Sequence, residues 1–431
     1  MKKSLLALAA MGAFASVAQA QSSVTVYGVL DEGYVGGNSR NSNGTVAADS
    51  KAATTTTATA GTTGVVKKTG NAFSGGNEST SRLGVRGSED LGGGTSAFFT
   101  YEVAIDMDLG STTSLFSTTR QAFVGLKKNG VGQFALGTQN TVIYDAILAT
   151  APTGVNNING SLVDNISVKG TGGSGTYQTG LDTTTGYETR VSNTLTLKSD
   201  NFAGFTARAS LTSKSANSTN TNAGGAGAGV GGTANVNGQA IGVDYAWKQL
   251  FLTANYQNFV ASANTNAAST APIIFGATAA GAGGSTNGLG TNVRDVGQYY
   301  AATYDFGILK AYAQYINRKM TVDSLPTAFS KFTAQQIGVR SFITPALEGW
   351  IAGSVGKYAS LPQTSTGAVA FTPATANLTA MQVGANYFLS KRTNLYAIYG
   401  QSGSSNVAFS STGNTTSANV NNYAVGVRHT F

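Results

Sequence analysis

The sequence predicts an all-β protein, a sixteen-stranded antiparallel transmembrane β-barrel with short turns at one end and long loops at the other. Three observations predict it. Apolar and polar residues alternate with period two in segment after segment. Long and short polar connections alternate along the chain. The chain finishes on an aromatic residue, in "VRHTF" (Val427 to Phe431), with no polar tail behind it.

The first element is not part of that barrel. "MKKSLLALAAMGAFASVAQA" has two lysines, an apolar run from Leu5 to Val17 and Ala18-Gln19-Ala20. This is the pattern of a signal peptide over residues 1–20, with an A-x-A cleavage site. The apolar run is too short to cross a bilayer as a helix. Residues 21–431 then form one exported domain.

The domain has no cysteine, which excludes thiol catalysis, Fe–S clusters and Cys-ligated zinc. Charged residues make up 11% of the chain, against roughly 25% in a soluble domain. No mature segment has 18 consecutive apolar residues, so helical spans are not expected. Lys and Arg number 27 against 19 Asp and Glu; without Lys2 and Lys3 the balance is 25 − 19, or +6. That excess is too dilute for a nucleic-acid partner.

The strands follow from parity. "SSVTVYGVLDEGY" is the first. In "SRLGVRGSED", Leu83 and Val85 face one way, and Arg82, Gly84 and Arg86 the other. In "TSAFFTYEVAIDMD", Ala97, Phe99, Tyr101, Val103 and Ile105 share the apolar face, opposite Phe98, Thr100, Glu102, Ala104 and Asp106. "GILKAYAQYINR" sets Leu309, Ala311, Ala313 and Tyr315 against Lys310, Tyr312 and Gln314. In "NNYAVGVRHTF", Tyr423, Val425, Val427 and Phe431 oppose Asn422, Ala424, Gly426, Arg428 and Thr430. "GQYYAATYDF" alternates only weakly. The apolar parity reads as lipid-facing and the polar parity as lumen-facing, which puts Arg82, Arg86, Glu102, Asp106 and Arg340 inside.

The connections decide between a barrel and a soluble sandwich. Short ones lie near 88–94, 128–132, 199–204, 247–250, 305–307, 344–349 and 390–393. Long or polar ones lie near 38–78, 109–118, 140–187, 213–237, 261–294, 319–331, 360–376 and 402–418. Fifteen connections make sixteen strands, and strict alternation puts every long loop at the same end. Runs such as "KAATTTTATAGTTG" and "NAGGAGAGVGG" bury too little apolar area to be domains.

The aromatic terminus then has a physical reason. No strand edge can be left unpaired in a bilayer, so the last strand must pair with the first. Phe431 carries the lipid-facing parity of Val425 and Val427, at the level of an aromatic girdle.

"SVTVYGVLDEGY", "SRLGVRGSEDLGGGTSAFFTYE", "RQAFVGLKKNGVGQFALGTQ", "YDAI" and "VGVRHTF" together resemble the Gram-negative general porins, in particular those of β-proteobacteria. The resemblance covers nearly the whole mature chain. It implies a trimeric barrel in the outer membrane, among its lipids and lipopolysaccharide, through which small hydrophilic solutes and ions diffuse passively. It implies a third long loop folded into the lumen, short turns on the periplasmic side and a terminal Phe431 read by the barrel-assembly machinery. It places Arg82, Arg120 and Arg190 in a basic constriction wall, with Arg86 beside them. Parity alone does not place Arg120 inside, because it shares parity with Ala122 and Val124. Asp145 and Asp164 are the acids of the inward loop. The chain departs from the family at "APTGVNN", where an acidic Pro-Glu-Phe-Gly element is missing.

Catalysis is not expected. The single histidine, His429, has lipid-facing parity near the terminus. The carboxylates in "DTTTGYE" and "NVRDVGQ" have no metal-ligand spacing, and no cofactor motif is present. A general diffusion channel is the leading expectation, weakly anion-selective if the arginines outweigh the acids. A substrate-specific channel and an adhesive or structural surface barrel are the alternatives.

Overall fold

The computed structural model describes residues 22–41, 66–107, 116–164, 189–216, 234–263, 291–322, 325–361, 374–407 and 416–431. The signal peptide expected at 1–20 and most of the connection at 109–118 lie outside them. The strands are β1 (Ser23–Asn41), β2 (Val66–Gly75), β3 (Arg82–Gly92), β4 (Thr95–Ile105), β5 (Phe116–Lys128) and β6 (Gly132–Asn140). Helix α1 (Val142–Thr150) follows, then β7 (Arg190–Ser199), β8 (Phe205–Ala216), β9 (Ala234–Trp247), β10 (Leu250–Ala263) and β11 (Thr291–Asp305). The last six are β12 (Lys310–Val322), β13 (Leu325–Thr344), β14 (Leu347–Leu361), β15 (Ala374–Phe388), β16 (Thr393–Val407) and β17 (Thr416–Thr430).

Seventeen segments make sixteen staves, because β2 and β3 are two halves of one strand. β1 pairs with β3 from Ser23 to Val29 and with β2 from Glu32 to Asn41. Between them, residues 76–81 leave the wall. Asp31 holds the gap. Its carbonyl accepts from Gly76 N at 2.8 Å, its amide donates to Ser81 Oγ at 3.0 Å, and its carboxylate accepts from Ser79 N at 2.6 Å and Tyr396 Oη at 2.8 Å. The seam closes as β1 pairs with β17, from Val29↔Thr430 to Asn41↔Ala418.

The short turns fall where the sequence puts them. The strands at the other end run further than the sequence boundaries. β12 and β13 are separated by 323–324 alone, where a connection over 319–331 is expected, and β2 begins at Val66 inside the stretch 38–78. The reason is that the ladder is made by backbone groups, which Thr, Ser and Asn carry as Val does. Above the membrane they lack the apolar alternation that marks a strand.

The parity assignment holds across the wall. Val26, Tyr101, Val124, Ile241, Ile337 and Val355 are exposed on the outside, as a lipid-facing band requires. Tyr300 and Tyr304 also face outward, whereas Tyr27 and Tyr312 face inward. Gly28 lies on the outward face but offers no notch to a neighbour, because a Cβ there would overlap the Phe431 ring.

Candidate pore constriction

Two segments narrow the lumen. The longer leaves β6 through α1, whose first turn is capped by Thr141 Oγ1 accepting from Tyr144 N at 3.1 Å. One apolar side of α1, with Ile143, Ala146 and Ile147, is buried with Leu162, Val163, Tyr299 and Phe332 in a cluster over β11 to β15. This inward packing gives a pore protein its hydrophobic core. The chain then crosses the lumen. Asn156 pairs with Gln382 on β15 (2.6 Å), and Gln382 Nε2 also donates to the carbonyls of Ile158 and Asn159, each at 3.0 Å. Asn159 reaches Asn422 on β17 at 2.8 Å. Gly400 on β16 has no Cβ where one would overlap the Asn159 carbonyl oxygen.

The shorter segment, 76–81, meets the tip of the longer one. Asn157 N donates to Asn77 O at 2.9 Å, and Asn157 Nδ2 to Gly76 O at 2.7 Å and Thr80 Oγ1 at 3.2 Å. Glu78 accepts from Asn394 Nδ2 at 2.9 Å.

The arginines occupy the remaining wall. Arg120 Nε donates to Glu102 Oε1 at 2.6 Å, and Arg82 Nη1 stands 3.9 Å from the same oxygen. Tyr27 Oη donates to Glu102 Oε2 at 3.1 Å, and the Arg86 guanidinium lies 5.2 Å over the Tyr27 ring. Arg82 Nη2 and Arg428 Nε both donate to Ser79 Oγ, each at 3.2 Å. Arg190 lies 5.3 Å over Tyr144, on the first turn of α1. One carboxylate, Glu102, therefore stands among Arg82, Arg86 and Arg120, with Arg190 and Arg428 extending the row.

Arg120 reaches this row through a β-bulge. Glu102 pairs with Gln121, but Val103 pairs with Thr119, so Arg120 is the extra residue. A bulge interrupts the period of two and re-aims the side chain, which is why strict alternation points it to lipid. Arg428 is legible by parity alone, sharing the inward face of Asn422 and Ala424.

The structure does not bring the two loop acids to the arginines. Asp164 is buried in the far wall, accepting from Gln314 Nε2 at 2.8 Å, Gln336 Nε2 at 2.7 Å and Thr153 Oγ1 at 2.6 Å. Burial pushes its carboxyl above the usual range, and those three hydrogen bonds work against the shift. Asp145 lies in the first turn of α1, where Asn140 Nδ2 donates to it at 2.8 Å. Burial raises it too, partly offset by the Asn140 hydrogen bond and by the charges of Arg208 and Lys198. Asp106 sits half-buried just past β4. Arg340 belongs to the far wall. It donates to Glu348 at 2.6 and 2.7 Å and to Pro152 O at 3.1 Å, and it stacks 4.9 Å over Trp350. It holds the inward segment down and does not face the arginine row.

The family model described as Gram-negative porin matches residues 7–407. The chain is 38% identical over 156 residues to outer membrane porin protein 32 of Delftia acidovorans, covering 35% of this chain and 37% of that one. It is 35% identical over 149 residues to an outer membrane porin protein of Bordetella pertussis, covering 33% and 34%. The matched stretch thus spans about a third of each relative's length. In fold the chain is similar to an anion-selective porin from Comamonas acidovorans, with a TM-score of 0.60 at 19% identity, over 95% of this chain and 100% of that one.

Proposed function

We propose, from the premise that the chain belongs to the Gram-negative porin family, that it conducts small hydrophilic solutes and ions across the outer membrane by passive diffusion, with a preference for anions. The barrel crosses the outer membrane sixteen times, and a sheet of that size leaves an aqueous lumen that its loops then narrow. The chain is a channel and not an enzyme. Flow needs no fuel; size and fixed charge at the constriction set what passes.

The observation that carries the anion preference is the one-sided row Arg82, Arg86, Arg120, Arg190 and Arg428, relieved locally by Glu102 and, beside Arg428, by Glu78. Asp164 is turned into the far wall, so it does little to cancel the row. At a narrow, low-dielectric point these charges act more strongly than the same number dispersed on loops. Under a salt gradient in planar bilayers, the wild type is expected to give a reversal potential of anion sign. Replacing Arg82, Arg120 and Arg190 together with Ser lowers the anion-to-cation permeability ratio by roughly fivefold to tenfold, about 1 kcal/mol or slightly more. A wild-type channel of clear cation preference would overturn the reading.

The same family reading extends to assembly. Phe431 acts as the signal for the barrel-assembly machinery, and residues 1–20 direct export. The barrel forms a homotrimer through the outward faces of its first strands, where Ala97 lies, with 110–117 latching onto a neighbour. Light scattering of detergent-purified protein is expected to give three chains per particle. A monomer at all concentrations would remove the trimer, though not the channel.

A further inference from the structure

The lumen wall carries two aromatic rings that ion flow does not use. Phe98 on β4 and Phe123 on β5 point inward, because Phe99, Tyr101, Val124 and Leu126 beside them are exposed on the lipid side. Their rings meet edge to face, with centroids 6.2 Å apart and planes at 76°. On β3 to β6 the other inward positions are charged, polar or small, such as Arg86, Thr100, Gly125, Gln133 and Ala135.

A water-filled lumen gives no reason for such a pair. Phe98 does fill one gap: a Cβ on Gly125 would come within 2.7 Å of its ring and 2.9 Å of Ala135 Cβ. Both rings nevertheless stay half-buried and are not enclosed by the wall. Apolar surface left partly in water is what an apolar ligand would cover with a gain in free energy.

Cations flank the rings. Ser88 stands opposite Phe98 and Arg86 opposite Thr100, which puts Arg86 on one diagonal of Phe98. On the other side Gly125 stands opposite Phe98 and Lys127 opposite Ser96, which puts Lys127 on a second diagonal. Diagonal neighbours are about 7–8 Å apart, within reach of long side chains. Among the described residues, neither Arg86 nor Lys127 forms an ion pair with a carboxylate, whereas Arg120 is engaged by Glu102 at 2.6 Å. The Phe98 ring leans over Gly125 toward β5, the strand of Lys127. A corner of two rings with a cation on each side is complementary to a planar apolar anion.

We propose that Phe98, Phe123 and Lys127, with Arg86, form a subsite for aryl carboxylates in the lumen, on the periplasmic side of Arg120. The aryl ring packs into the corner of the two phenylalanines, in the offset or edge-to-face geometries that aromatic groups prefer. The carboxylate takes the Lys127 ammonium, with the Arg86 guanidinium on the far side of Phe98. The site rests on the channel reading above and adds a substrate class to it.

The test records KCl current through the full-length barrel in planar bilayers while sodium benzoate, sodium acetate or benzyl alcohol is added. Benzoate is expected to halve the current at a concentration roughly tenfold below that of either other probe. Phe98→Thr/Phe123→Thr replaces the rings with a residue type that lines the neighbouring wall, and is expected to lose most of that margin. Lys127→Gln raises the half-blocking benzoate concentration roughly threefold and leaves benzyl alcohol as in the wild type. Heat-modifiable gel mobility confirms that both variants are folded. Benzoate no stronger than acetate, or no stronger than benzyl alcohol, would overturn the proposal. So would an unchanged benzoate block in the threonine variant. The wild-type reversal potential, taken in the same membranes, reads the anion preference by itself. A potential of anion sign with equal block by the three probes would remove this site and leave the channel reading intact.

Discussion

Deletion of Phe431 is expected to remove most folded barrel from the membrane. Phe431 extends the closing seam by one residue: its amide donates to Gly28 O and its carbonyl accepts from Gly28 N, each at 3.2 Å. Its ring covers Gly28, which has no side chain to shield its own backbone. Without Phe431 both polar groups of Gly28 lose their partners at the interfacial end of the seam, at about 1–3 kcal/mol for a group that water does not reach. Phe431→Ser keeps the backbone pair and loses only the ring, roughly 1–2 kcal/mol of apolar burial. The deletion should therefore be the more severe of the two. The fraction of heat-modifiable barrel in isolated outer membranes reads this directly. Equal effects would mean that the ring acts as a recognition signal and the seam contributes little. Normal barrel levels for both would remove any role for the terminus in assembly.

The second large effect is expected at Gly400. Any Cβ there overlaps the Asn159 carbonyl oxygen. Gly400→Leu must push the tip of the inward segment off the wall, breaking the Asn159–Asn422 contact and straining the bonds that Gln382 makes to Ile158 and Asn159. Overpacking of this kind costs about 1–3 kcal/mol. Because the chain has no cysteine, Ile158→Cys is a clean reporter: Ile158 is buried at 2% exposure with Trp350, Tyr396 and Ile398. A water-soluble maleimide should label it slowly in the parent background. Adding Gly400→Leu should speed labelling on the order of tenfold or more, and ion selectivity should weaken with it. A folded barrel with unchanged labelling and selectivity would mean that the wall yields and the segment stays seated.

Sixteen antiparallel strands, the direction of each face and the end that bears the loops were all written in the sequence. A bilayer and an aqueous lumen impose opposite demands on alternate residues, and that contrast survives in one dimension. Arg82, Arg86 and Glu102 are inward for that reason, and Phe431 is outward for the same one. The tertiary structure alone decided what interrupts the period. Arg120 turns inward because one extra residue bulges opposite Glu102–Val103. The stave of β2 and β3 breaks at 76–81 because Asp31 satisfies the backbone that leaves the wall. Asp164 looks like a pore acid from its place in the loop, yet Gln314 and Gln336, 150 and 172 residues away, draw it into the far wall. Alternation is a local property, whereas a bulge, a gap or a buried carboxylate is stabilised by partners distant in the chain, and only closure of the barrel brings those together.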